Sequence, residues 1–113
     1  MKAQHIFYWG DIDAYGLEIL NGYREDGVPA ASLLMDSHTY ETYERFGTNT
    51  GANGEPIKPG PVRSLPALTE PEHALYTRLR DPDHLQHRRI EQERIPLTTA
   101  LSVVRSQLET SES

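Results

Sequence analysis

Asp11 and Asp13 stand one residue apart in the stretch FYWGDIDAYG, residues 7–16, with Gly10 just before them and Gly16 soon after. Two carboxylates at positions i and i+2 can converge on one cation when the backbone turns between them. Their hard oxygens suit Mg²⁺ or Mn²⁺, with water and phosphate completing the shell. An ion held there can polarise a phosphoryl oxygen and stabilise an attacking or departing oxygen. The same spacing also suits an acidic turn in which one aspartate caps a helix, and spacing alone leaves both readings open.

Further candidates lie downstream. Asp36 precedes Ser37 and is either a third acid or a helix cap, and His38 beside it could touch phosphate or a partner, or only water. Glu91 and Glu93, flanked by Arg88, Arg89 and Arg94, could bring a carboxylate or a phosphate-binding arginine to the same place, or form surface ion pairs. His84 and His87 have no third ligand nearby in sequence, which argues against zinc.

These residues need elements to position them. Residues 5–9 are aromatic and β-branched without polar alternation, which predicts a strand covered on both faces. Ile12, Tyr15, Gly16, Ile19, Leu20 and Tyr23 then recur at helical spacing, with Asp13 as cap and Gly27 and Pro29 as the stop. The apolar run 31–35 predicts a second strand, followed by a helix over 39–46. This β-α-β-α order predicts an α/β fold, a small parallel sheet flanked by helices, with Asp11, Asp13 and Asp36 at the carboxyl edge where such sheets bind ligands.

Residues 47–66 are rich in Gly, Pro, Asn and Thr and read as a long exposed loop. Thr69 and Glu72 form a capping box with Pro71 in the first turn, so a helix through Leu75, Tyr76 and Leu79 follows, ended by Asp81 and Pro82. Residues 89–95 fit a third strand or an irregular approach. Pro96 opens a helix whose Leu97, Ala100, Leu101, Val104 and Leu108 make an apolar stripe. Residues 1–109 then form one domain, and 110–113 a polar, frayed tail.

At 113 residues the chain is short for an enzyme with its own substrate-binding lobe. It has no cysteine, and its apolar runs fall far below a bilayer span, so the cytoplasm is the expected compartment and no membrane partner is expected. Eleven Lys and Arg against seventeen Asp and Glu give a formal charge of −6, which opposes autonomous binding to a polyanion.

Taken in order, GDIDAYGLEIL, SLLMD, LT with its following helix, and RIEQERIP resemble the C-terminal domain family of the Wadjet nuclease subunit JetD. The first segment also resembles the Toprim Asp-x-Asp motif of the A subunit of type IIB topoisomerases. The resemblance implies a Toprim fold and a DNA endonuclease site in which Asp11 and Asp13 hold Mg²⁺ or Mn²⁺, Gly10 and Gly16 allowing the tight strand-to-helix passage. It implies DNA and condensin-like Wadjet subunits as partners and plasmid defence as the role; the oligomeric state, a homodimer among the options, is left open by the sequence. Toprim sites also draw a glutamate from an earlier strand, yet residues 1–10 hold no acid. The expectation is a C-terminal part of a longer nuclease, or a truncated relative, its sheet incomplete without an upstream strand.

Two other readings remain. In a haloacid-dehalogenase-type phosphatase Asp11 would be the nucleophile and Asp13 the acid/base, although Tyr15 stands where that motif carries Thr or Val. A noncatalytic module would dock a partner through the arginine-rich last third or the long loop.

Overall fold

The computed structural model describes residues 6–51, 53–84 and 86–112. Ile6–Tyr8 forms β1 and Ala30–Ser32 forms β2, paired in parallel with Ile6 opposite Ala30 and Tyr8 opposite Ser32. Between them runs α1, Ala14–Glu25, so the β-α-β unit forms as the periodicity predicts and the chain is a small α/β protein. The strand expected over 5–9 is shorter, and His5 lies outside the described residues. It is also not covered on both faces, since Ile6 is 36% exposed. The reason is width: among the described residues the sheet has two strands, and so narrow a ribbon offers its helices too little surface to bury both sides.

Local chemistry explains where α1 starts and stops. Asp13 is extended and its Oδ1 accepts from the Gly16 N–H at 2.6 Å, satisfying a donor that the first helical turn leaves free. Leu17 and Leu20 are fully buried. At the other end the Asp26 N–H returns to the Gly22 carbonyl, and Gly27 takes φ +91°, a conformation that glycine adopts without a Cβ penalty.

The apolar run 31–35 contributes to β2 only as far as Ser32. The Leu33 N–H still donates to the Tyr8 carbonyl at 2.8 Å, after which Leu34 turns the chain at φ 61° to reach the cap of the next helix; Leu33, Leu34 and Met35 all stay buried. That helix, α2, spans Ser37–Tyr43, and a 3-10 turn at Glu44–Phe46 continues it.

The segment 47–66 is mostly exposed, yet its first half is pinned. Thr48 exchanges backbone hydrogen bonds with Arg89, the Ile57 N–H reaches the Asn49 carbonyl, and the Gly51 N–H reaches the Glu55 carbonyl, which lays residues 48–51 against 55–57 as a narrow hairpin. The capping box holds α3, Glu70–Arg80, as expected. Residues 89–95 take the irregular alternative: single bridges at Arg89 and Ile90, then a 3-10 turn at Gln92–Arg94.

The last helix, α4, spans Leu97–Glu112, so the residues after Glu109 extend it as far as Glu112. Its expected stripe is corrected. Leu97 and Leu101 are 60% and 53% exposed, while Ala100, Val103 and Val104 meet the core. No helix among the described residues is long and apolar enough to cross a membrane.

One polar network ties these layers together. Glu72, at the start of α3, accepts both terminal nitrogens of Arg24 at 2.5 and 3.1 Å, and also the Ser32 hydroxyl and the Thr69 N–H. Arg24 further donates to the Ala30 and Ala67 carbonyls. Burial opposes the Glu72 charge, but the hydrogen bonds from Arg24, Ser32 and Thr69 overcome it and hold the carboxyl at about 2.

Candidate metal centre

The two aspartates are aimed by the residue between them. Ile12 is fully buried and exchanges both backbone hydrogen bonds with Ile90, at 2.9 and 3.0 Å, in a single antiparallel rung. Side chains alternate along extended backbone. With Ile12 and Ile90 turned into the core, Asp11 and Asp13 on one segment and Arg89 and Glu91 on the other share the opposite face.

Arg89 fills the space between them. Its Nε and Nη2 donate to Asp11 Oδ2 at 3.1 and 2.8 Å, its Nη1 donates to the Thr50 carbonyl at 3.0 Å, and the Gln92 N–H takes Asp11 Oδ1 at 2.8 Å. Asp13 Oδ2 lies 3.7 Å from Arg89 Nε, an ion-pair distance beyond hydrogen bonding. Burial raises the Asp13 carboxyl to about 6; the Gly16 N–H and Arg89 oppose the rise, and the neighbouring charge of Asp11 adds to it. Arg89 in turn is buried, which works against its charge, but Asp11 more than offsets that and keeps it firmly cationic.

The other acids contribute unevenly. Glu93 is exposed, and its carboxyl is raised by the hydrogen bond that its protonated form gives Glu91, by the Glu91 charge and, more weakly, by Asp11, which puts both glutamates within the electrostatic reach of the site. Asp36 is a helix cap: its Oδ1 accepts from the Thr39 N–H at 2.7 Å, and it lines no part of the cleft at Asp11 and Asp13. His38 is exposed and also outside that cleft. His84 contacts the Tyr40 hydroxyl and His87 contacts Glu44, so the two histidines serve the α2 side of the fold.

Gly16 is fixed by close approach. A Cβ there would stand 2.8 Å from the Asp11 carbonyl oxygen and 3.0 Å from Asp13 Oδ1, with Met35 just behind. Gly16→Ala is expected to cost about 1–3 kcal/mol by pushing the cap apart, measured as a lowered urea midpoint with an unchanged slope. At Gly10 a Cβ would meet the Tyr8 hydroxyl at 3.0 Å, the end of a side chain with more room to move.

Whether these residues suit a divalent ion follows from the donor set. Among the described residues no group of three or more His, Asp or Glu side chains forms a cage. Mg²⁺, however, is commonly held by one or two carboxylates, with waters and substrate phosphates completing its octahedron. Asp13 Oδ2 is the acceptor left outside hydrogen-bond range, on a carboxylate whose charge is poorly solvated. Asp11 is committed to Arg89 and the Gln92 N–H. The pair therefore fits a two-carboxylate site in which Arg89 is the resident cation.

Beside the pair opens a cleft of about 580 Å³, walled by Tyr8, Tyr15 and Ile19 on the β1–α1 side, by Gly51, Asn53 and Ile57 of the hairpin, and by Arg80. Arg89 as the organising residue of the acid pair, and the hairpin as a wall of the cleft, were not separable in sequence from the general Arg/Glu mixture and the loop composition. The i, i+2 alternation of RIE against DID was the available signal.

A family model described as Wadjet protein JetD, C-terminal, matches residues 1–104. No curated protein and no solved structure matches the chain.

Proposed function

The chain belongs to the Wadjet protein JetD C-terminal family, and on that premise we propose that it is the cation-holding part of a DNA endonuclease acting against plasmid and other foreign DNA. The observation that carries this reading is the pair of like charges held on one face by the Ile12–Ile90 rung, one of them, Asp13, desolvated enough to titrate at about 6. Such a pair is costly without a counterion, and perturbed carboxylates in a cleft mark functional sites.

Mg²⁺ or Mn²⁺, when bound, supplies a Lewis acid for a phosphodiester oxygen and charge for the departing one. Asp13 offers Oδ2 as the protein ligand, and Asp11 supports it from the adjacent position. Arg89 balances the two carboxylates before substrate arrives, and its planar fork suits a phosphate equally well. Gly16 keeps the Asp13 cap closed so that the carboxylate does not swing. Asp11 as a phosphatase nucleophile is the weaker reading, because both its oxygens already accept hydrogen bonds.

The Toprim-type arrangement belongs to this proposal, together with a further glutamate from another segment. So do DNA and condensin-like Wadjet subunits as partners, a cytoplasmic setting, and a homodimer that places one site on each strand. A basic surface on those partners offsets the −6 charge of this chain.

Adding Mg²⁺ or Mn²⁺ to ¹⁵N-labelled protein is expected to perturb amides around Gly10 to Tyr15 first. No change there, or the same change in an Asp11→Asn/Asp13→Asn double variant, would overturn the reading. The pH dependence has a definite sign. The cation binds the Asp13 carboxylate, so affinity should be level above pH 6 and fall as the group protonates below it, by up to about ten-fold per pH unit. Calorimetric titrations on both sides of that value measure it.

A further inference from the structure

The cleft beside Asp11 and Asp13 is larger than a hydrated cation needs, and aromatic and aliphatic side chains share its lining with the acids. At about 580 Å³ it falls in the range of sites that take organic ligands. Tyr15, in the first turn of α1, is 69% exposed and stands on the cleft wall rather than in the core. Tyr8, Ile19 and Ile57 add apolar surface, and Asn53 brings a side-chain amide whose Oδ1 already accepts from the Glu55 N–H at 3.0 Å.

Charge decides which part of a substrate enters. Asp11 and Asp13 line the same cleft, and Glu18 is held close to it by Arg80, at 2.6 Å. A bare phosphate deep in such a space meets repulsion, whereas a neutral flat ring meets apolar wall and the face of an exposed tyrosine. Arg80 also lines the cleft, its charge matched by Glu18 and its buried Nε without a hydrogen-bond partner among the described residues.

We propose that this cleft receives an unpaired nucleobase, stacked on Tyr15, next to the phosphate that a cation at Asp11 and Asp13 would hold, and therefore that cleavage falls where the duplex is locally unpaired. The phosphate half of the statement rests on the nuclease reading; the base half rests on the cleft alone. In an intact duplex each base is stacked between neighbours, so it reaches a side wall only by leaving the helix, which a gap, flap or sharp bend makes cheaper. Stacking on an aromatic side chain is tolerant of base identity, so little sequence preference follows.

The test uses the full chain and two probes. Deoxyadenosine, added in EDTA and followed by ¹⁵N amide shifts, reads the base cleft without metal or phosphate. Fluorescent oligothymidylate, compared in Mg²⁺ with a blunt duplex of the same length, reads strand preference by anisotropy. Deoxyadenosine is expected to shift Tyr15 and Ile57, and the single strand to bind more tightly than the duplex. Tyr15→Ala should weaken both probes about ten-fold, while Tyr15→Phe, which keeps the ring, should retain them; exposure of Tyr15 makes both variants foldable. Equal or better duplex binding, or a Tyr15→Ala protein that binds like the parent, overturns the proposal. If deoxyadenosine binds through Tyr15 but the metal titration fails, the cleft stands and the nuclease reading falls. If the metal binds at the aspartates but neither probe depends on Tyr15, the cleft proposal alone falls.

Discussion

Asp13→Asn is expected to slow DNA cleavage by the full-length protein severely while leaving the domain folded and, at neutral pH, more stable. Asparagine caps helices about as well as aspartate, so its side-chain oxygen can keep the Gly16 N–H. What disappears is the charge. A lost carboxylate ligand removes the Lewis-acid contribution of the ion, worth several kcal/mol, which corresponds to a rate loss on the order of a thousand-fold. The stability change has the opposite direction. The folded-state Asp13 carboxyl is raised from 3.8 to about 6, so its protonated form is favoured by folding; that contribution is complete below pH 3.8 and is lost as pH rises through 6. At neutral pH the parent therefore carries a buried charge that the variant lacks, a difference of up to about 3 kcal/mol. Plasmid nicking and thermal denaturation on the same preparations check both halves. Unimpaired nicking, or a variant that melts well below the parent, would contradict this account.

The largest expected loss of stability lies at the far end of α1, where Arg24 occupies the last turn. Arg24→Met removes the guanidinium that meets both Glu72 oxygens and leaves a side chain of 6% exposure with an uncompensated charge. Breaking a buried pair from one side typically costs about 3–5 kcal/mol, enough to threaten a domain of this size. Replacing both partners, Arg24→Met with Glu72→Leu, should recover much of that, because no charge is then stranded. The pH signature separates this from a packing defect. The Glu72 carboxyl is lowered from 4.5 to about 2, so its stabilisation is complete above 4.5 and is lost as pH falls through 2. Urea denaturation should show the Arg24→Met deficit at its largest above pH 4.5, shrinking under acid. A deficit independent of pH would point to lost packing instead.

The parts of this fold that were legible in sequence are those whose cause is local. Asp13, Asp36 and Thr69 each bond an amide three residues on, and each marks a helix start that the structure contains. Gly27 at positive φ likewise ends α1 where its position implied. What required tertiary contacts was harder to read. Leu97 and Leu101 share a helical stripe with Ala100 and Val104, but spacing cannot say which side of the stripe the core occupies, and here it lies toward Ala100 and Val103. Arg89 looked like one member of a solvated charge mixture; its partner Asp11 is 78 residues away, and only the Ile12–Ile90 rung brings them together. Arg88 was hidden in the same way. It is buried and caps the end of α3 through the Leu79 and Asp81 carbonyls.

The grip of Arg89 reaches past electrostatics. One guanidinium spans Asp11 and the Thr50 carbonyl, while its own backbone is stitched to Thr48, so the acid pair and the hairpin share a single fastener. Whatever draws the guanidinium away from Asp11 also loads or slackens the hairpin that forms the far wall of the cleft. Occupancy at the carboxylates and the width of the neighbouring space are therefore mechanically linked quantities, set by the reach of one side chain.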